Sequence, residues 1–193
     1  MPYRAIAFEP GNFYHLYNRG NNRQTIFFER ENYLHFLRLV RRHLTSEEVE
    51  VLAYCLMPNH YHLLVHFKAG SLSNQMKALS LSYTKGMNAR YNRVGSLFQG
   101  RFCSIWVDRE SYLVYLVRYI HLNPVKAGLV IHPGEWEFSS FREYAGQWQG
   151  TLPKLERVQA LTGEKNAYQM FLEDQSLPQD AKTRSLMLDE WCS

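Results

Sequence analysis

VEVLAYCLMPNHYHLLVHF, residues 49–67, decides the architecture. Nine β-prone, largely apolar residues run up to Pro58-Asn59, a pair that favours a tight turn and interrupts a strand. Eight more residues of the same kind follow, so the stretch reads as a hairpin of two antiparallel strands, Val49–Met57 and His60–Phe67. Side chains alternate along a strand, which places Tyr61, Leu63 and Val65 on one face and His60, His62 and His66 on the other. The first face has the makings of a core. The second carries imidazoles.

Working outward, FYHLYN (13–18) is aromatic and β-prone and stops at the polar run RGNNR, which marks an earlier strand. Residues 30–44 place Tyr33, Phe36, Leu37 and Val40 at three- and four-residue spacing, a helix. Residues 71–92 repeat that spacing with Met76, Leu79, Tyr83 and Met87. LFQGRFCSIWV (97–107) reads as another strand, and a last helix follows, begun near Asp108 or Ser111 and ended by Pro124. The order β-α-β-β-α-β plus one helix predicts an α+β fold of the ferredoxin-like (split βαβ) type, an antiparallel sheet with helices on one side. Residues 1–150 form the main domain, and 151–193 are expected to be a helical appendage packed on it. RNA-recognition modules share this order, so it assigns no function by itself.

Composition narrows the field. A net charge of +4 allows a polyanionic partner without requiring one, and 15% aromatic residues supply both core and stacking surfaces. Lys85, Arg90, Arg93 and Arg101 cluster in one stretch, either a solvated basic face or a phosphate-facing one. The three cysteines are widely spaced with no CxxC pair, which argues against a thiolate zinc site or a disulfide framework. No apolar run is long enough to span a membrane and the N-terminus has no secretory core, so a cytoplasmic protein is expected.

Two constellations carry chemistry. His60 and His62, side by side on one strand face, can chelate a divalent cation through neutral ring nitrogens or can simply be strand histidines without a ligand. No third histidine or carboxylate stands near, so a weaker oxygen donor and a hard ion such as Mg²⁺ or Mn²⁺ suit the pair better than zinc. In SYLVYLVRYIHLNPVKAGLV (111–130), Tyr119 and Asn123 are one helical turn apart. Asn123 offers an amide oxygen, and a neighbouring tyrosine could present its phenol to a phosphate held by the same ion. A phenol with a pKa near ~10 is a poor nucleophile unaided. The same tyrosines also fit an aromatic packing stripe, with Tyr115 as the rival nucleophile, and Asn-Pro also fits a helix stop.

YNRGNNRQTIF, LMPNHYHLLV, LFQGRFCSIWV, YIHLNPVKAGLV and EWEFSSFREY, in this order, resemble the REP-associated tyrosine transposases of the single-tyrosine HUH superfamily. The resemblance runs over residues 13–144. It implies a metal-dependent enzyme that cuts and rejoins single-stranded, hairpin-forming DNA through a 5′-phosphotyrosine link. It further implies Tyr119 as nucleophile, His60 and His62 as metal ligands and Asn123 as a polar third ligand. Tyr61 stands where a smaller aliphatic residue is usual, and Cys103 where a basic residue is expected. Arg19, Asn21, Asn22, Arg23, Arg90, Arg93 and Arg101 are candidate DNA contacts, with Phe98 or Trp106 as base-stacking candidates. The alternative is a non-catalytic binder of structured nucleic acid on the same fold. A monomer is favoured over a dimer, bacterial and nucleoid-associated when on DNA.

Overall fold

The computed structural model describes residues 7–162. Four strands, β1 (Phe13–Arg19), β2 (Val49–Met57), β3 (His60–Phe67) and β4 (Cys103–Val107), form one sheet in the order β2-β3-β1-β4, every neighbouring pair antiparallel. This is the split βαβ arrangement. Helices α1 (Arg30–His43) and α2 (Leu72–Arg90) pack together on one face, where Tyr61, Leu63 and Val65 meet Phe36, Leu37, Met76 and Tyr83.

Helices do not stay on one side, however. Helix α3 (Ser111–Lys126) covers the opposite face, where Leu52, Ala53, Cys55, Leu64 and Val107 join Leu113, Leu116, Val117 and Ile120. Alternation lets β2 serve both cores, and a bulge between Val51 and Ala53 puts two successive residues, Leu52 and Ala53, into the one under α3. After α3 the chain runs back along the outer edge of β2. Leu56 N–H donates to Phe138 O at 2.9 Å and Ser140 N–H to Tyr54 O at 3.0 Å, which covers that edge against further strand pairing. The short helices α4 (Phe141–Tyr144) and α5 (Glu156–Thr162) complete this second core through Phe141, Tyr144 and Val158.

Residues 97–102, expected as strand, are instead an irregular strap. Gln99 N–H donates to Arg19 O and Asn21 N–H to Leu97 O, both at 2.9 Å, while Leu97, Phe98 and Phe102 are buried against the α1–α2 side. Their apolar character comes from this packing and not from strand alternation. Cys55 is free and buried. Of the proposed appendage only residues 151–162 fall in the described range; the rest of 151–193 lies outside it. No described helix is long and apolar enough to cross a membrane.

Candidate active site

The sheet face under α3 holds the histidines. In the β1–β3 register Tyr17 lies opposite His62 and Arg19 opposite His60, so His15, Tyr17 and Arg19 share the face of the two imidazoles. His62 is wholly buried. Its Nδ1 stands 2.9 Å from His15 Nε2, and its Nε2 is buried with no hydrogen-bond partner among the described residues. Burial above all, and then the nearby His60 and His15, hold its pKa well below the ordinary imidazole value, so His62 is neutral at pH 7.

His60 is half-buried at the start of β3, its Nδ1 2.6 Å from Asn59 Oδ1. The Asn59 amide nitrogen donates to Arg23 O at 3.3 Å, which turns the amide oxygen toward the imidazole. An amide oxygen only accepts, so the His60 proton sits on Nδ1 and the lone pair on Nε2. The two rings are 5.1 Å apart and nearly perpendicular, at 88°. His66 falls outside this group. It pairs with Glu50 at 3.1 Å and stacks on Phe13, farther along the strand.

Helix α3 brings Tyr119 edge-on to both buried imidazoles, with ring centroids 5.9 Å from His62 and 6.3 Å from His15. Pro124 was expected to end the helix, but α3 continues through it to Lys126. A proline there removes the bond to Ile120 O and crowds that carbonyl. The Asn123 amide nitrogen compensates by donating to Tyr119 O at 2.8 Å and reaching Ile120 O at 3.5 Å. That commitment leaves the Asn123 carbonyl oxygen as the atom able to face a cation. The extra turn also puts Lys126 on the Tyr119 face, its Nζ 4.6 Å from the ring centroid. His121 points elsewhere, as expected, and its Nε2 meets Ser140 Oγ at 2.7 Å in the second core.

The candidate DNA contacts divide. Asn21, Asn22 and Arg23 form one exposed 3₁₀ turn, with Asn22 and Arg23 at positive φ, docked beside the Asn59–His60 corner. Gly20 is required before it, because a Cβ there would lie 2.0 Å from Gln24 O. Arg19 donates to Gln99 Oε1 at 2.9 Å, and Arg101 is exposed on the strap. Arg90 is instead paired with Glu29 at 2.6 Å, and Arg93 lies over the Phe28 ring. Phe98 is buried and offers no stacking face, whereas Trp106 is exposed on edge strand β4. Sequence reasoning missed His15, Asn59 and Lys126. Only Lys126 had a local signal, its spacing of seven from Tyr119.

A family profile described as IS200-like transposase matches residues 11–123. The chain belongs to the IS200-like transposase family. The matched span holds His15, His60, His62, Tyr119 and Asn123. The transposase is 26% identical over 118 residues to a REP-associated tyrosine transposase of Haemophilus influenzae, covering 52% of this chain and 67% of that one. It is 24% identical over 159 residues to the REP-associated tyrosine transposase of Escherichia coli, covering 78% and 92%. A solved REP-associated tyrosine transposase bound to a REP hairpin superposes with a TM-score of 0.62 at 21% identity, covering 81% of this transposase and 96% of that chain. At that identity the superposition speaks to shared fold. By family, then, the protein is a DNA transposase.

Proposed function

We propose that this transposase cleaves and rejoins single-stranded DNA at hairpin-forming repeats, with Tyr119 as nucleophile and His60, His62 and Asn123 holding Mg²⁺ or Mn²⁺. One observation carries the reading: Tyr119 stands edge-on to a buried, neutral His62 whose Nε2 has no hydrogen-bond partner among the described residues. An orphaned ring nitrogen in a core is costly and calls for a ligand. Two imidazoles plus an amide oxygen form a donor set that a divalent ion accepts. Among the described residues no three His, Cys, Asp or Glu side chains gather as a metal site, so the amide and DNA or water oxygens would complete the shell. When bound, the cation supplies polarisation of the scissile phosphate.

The chain's own groups then have these roles. The Tyr119 phenol gives up its proton to water, its oxygen attacks phosphorus and forms a 5′-phosphotyrosine, the bond to the 3′ oxygen breaks, and that oxygen leaves as a 3′-OH after taking a proton from water. A second 3′-OH reverses the step to join strands. Lys126, cationic beside the Tyr119 ring, favours the phenolate and the phosphate charge. The Arg19–Arg23 corner and Arg101 border the histidines and would meet DNA phosphates, with Arg90 and Arg93 farther off and already partnered. Relatives named for REP elements, one solved on a REP hairpin, support the hairpin target. Because Tyr119 meets histidines of its own chain, a monomer has the parts it needs, and its place of work is the cytoplasm, on the nucleoid.

The test incubates the protein with labelled single-stranded hairpin DNA, with and without Mn²⁺, and resolves the products on a denaturing gel. A slow-migrating covalent adduct that needs Mn²⁺ and vanishes in Tyr119→Phe is the expected result. Hairpin binding with no adduct across a panel of repeats would instead favour the non-catalytic binder.

A further inference from the structure

Phe, Tyr and Trp rings are numerous in this chain, yet among the described residues only Phe28, Trp106 and Trp148 are exposed. Trp106 lies opposite Tyr14, a residue of the α1–α2 core, so it points away from the histidine face and stands at the other end of β1 from Arg19. Trp148 lies between α4 and Lys154, whose N–H donates to Val51 O, far along β2 from the His60 corner. Phe28 is beside that corner. Ile26 N–H and Phe27 N–H both donate to Pro58 O, at 2.8 and 3.0 Å, which pins the chain just before Phe28 to the turn that leads into His60. The Phe28 and His60 backbones are then within roughly 15 Å of each other by the length of the connecting chain.

The start of α1 does not require an exposed phenyl here. Phe28 immediately precedes the N-cap Glu29, a place from which an apolar side chain commonly folds back onto the first turn. Phe27 does so instead, stacking on Tyr33 with ring centroids 4.5 Å apart. Phe28 turns outward, 46% exposed, its ring 4.8 Å from that of Tyr91 and its centroid 5.8 Å from the Arg93 guanidinium carbon. The aromatic pair is held in place. Phe28 N–H donates to Asn32 Oδ1 at 2.9 Å, and the Tyr91 hydroxyl stands 2.9 Å from the same oxygen and 2.7 Å from Glu29 Oε1. Arg90 pairs with that carboxylate, whereas Arg93 has no carboxylate partner among the described residues. An arginine lying over a ring keeps its in-plane N–H groups able to donate.

The geometry points to Phe28 as a stacking platform for one unpaired base of single-stranded DNA beside the His60 corner, with Tyr91 behind the ring and Arg93 on the adjoining phosphate. A ring already fixed costs little to order on binding, every base has a π-face to offer it, and the guanidinium complements the strand's charge. Single-stranded DNA as the substrate rests on the proposed function; the stacking needs neither the cation nor the Tyr119 chemistry.

The test measures binding without Mn²⁺ to hairpin DNA with single-stranded flanks, 2-aminopurine standing at each flank position in turn, and to the same hairpin without flanks. Wild type is expected to bind the flanked hairpin more tightly and to change the fluorescence of the probe at one flank position. Phe28→Ala should lose that change and weaken binding of the flanked hairpin by about tenfold, with affinity for the blunt hairpin unaltered. Phe28→Trp, which keeps a flat face, should retain both, and Phe28→Leu, apolar but not flat, should behave as Phe28→Ala. Arg93→Gln should lower the salt dependence of flanked binding by about one phosphate. Wild type that binds flanked hairpins no better than blunt ones, an unaltered probe signal in Phe28→Ala, or an equal loss on both DNAs overturns the platform; an unaltered salt slope in Arg93→Gln overturns its phosphate contact. Failure of the cleavage reading is separately visible, as a Phe28-dependent probe signal in a protein that forms no adduct with Mn²⁺.

Discussion

Acidification should destabilise the transposase through His121, and the size of the effect follows from its surroundings. His121 is completely buried in the second core between α3 and the segment flanking β2, where burial lowers its pKa from 6.5 to about 3. A base whose folded pKa is depressed binds fewer protons folded than unfolded between the two values. Its share of stability is therefore intact above the unfolded pKa and falls away as pH drops from about 6.5 toward about 3. For one such group the loss between pH 7 and 5.5 is about 1.2 kcal/mol, growing to about 2.5 kcal/mol at pH 4.5. His62 adds a loss of the same sign, and Glu143, whose pKa burial raises, opposes it. A comparison of variants isolates His121. Urea denaturation of wild type and His121→Gln, which keeps a polar atom near Ser140 Oγ, should show the gap between them narrowing by about 1.2 kcal/mol from pH 7 to 5.5. Parallel stability curves across that range would refute the argument.

Three further outcomes are expected. Lys126→Met should slow adduct formation by roughly tenfold to a hundredfold in single-turnover assays, with Lys126→Arg retaining more, because the charge beside Tyr119 is removed or kept. Asn123→Ala should weaken Mn²⁺ binding by about tenfold, ~1.4 kcal/mol, whereas Asn123→Asp keeps an oxygen donor and should bind at least as well as wild type in the same titration. Gly20→Ala forces a methyl onto the Gln24 carbonyl and should cost about 2 kcal/mol, seen as a fall of about 4–8 °C in thermal midpoint, with hairpin binding weakened because the Asn21–Arg23 turn shifts.

The parts of the molecule legible in its sequence are those set by local periodicity. The hairpin was readable because Pro58-Asn59 punctuates it and because alternation separates Tyr61, Leu63 and Val65 from the histidines. The buried sides of α1 and α2 followed from three- and four-residue spacing in the same way. What stayed hidden depends on long-range neighbours. His15 matters only because β1 lies beside β3, and nothing within FYHLYN signals that pairing. Arg90 looked available for phosphate because Glu29, its partner, lies far off in sequence at the N-cap of α1. Lys126 was masked for a different reason. The general rule that proline ends a helix was overridden by the Asn123 side chain, which caps the carbonyls that Pro124 disturbs and carries α3 one turn farther.

The central claim is that Tyr119 becomes bonded to DNA. Trapping the Mn²⁺-dependent adduct on hairpin DNA, digesting both components and sequencing the nucleotide-bearing peptide by mass spectrometry tests it most directly. The account predicts a phosphonucleotide on Tyr119. A phosphonucleotide on Tyr115 or any other residue would contradict it.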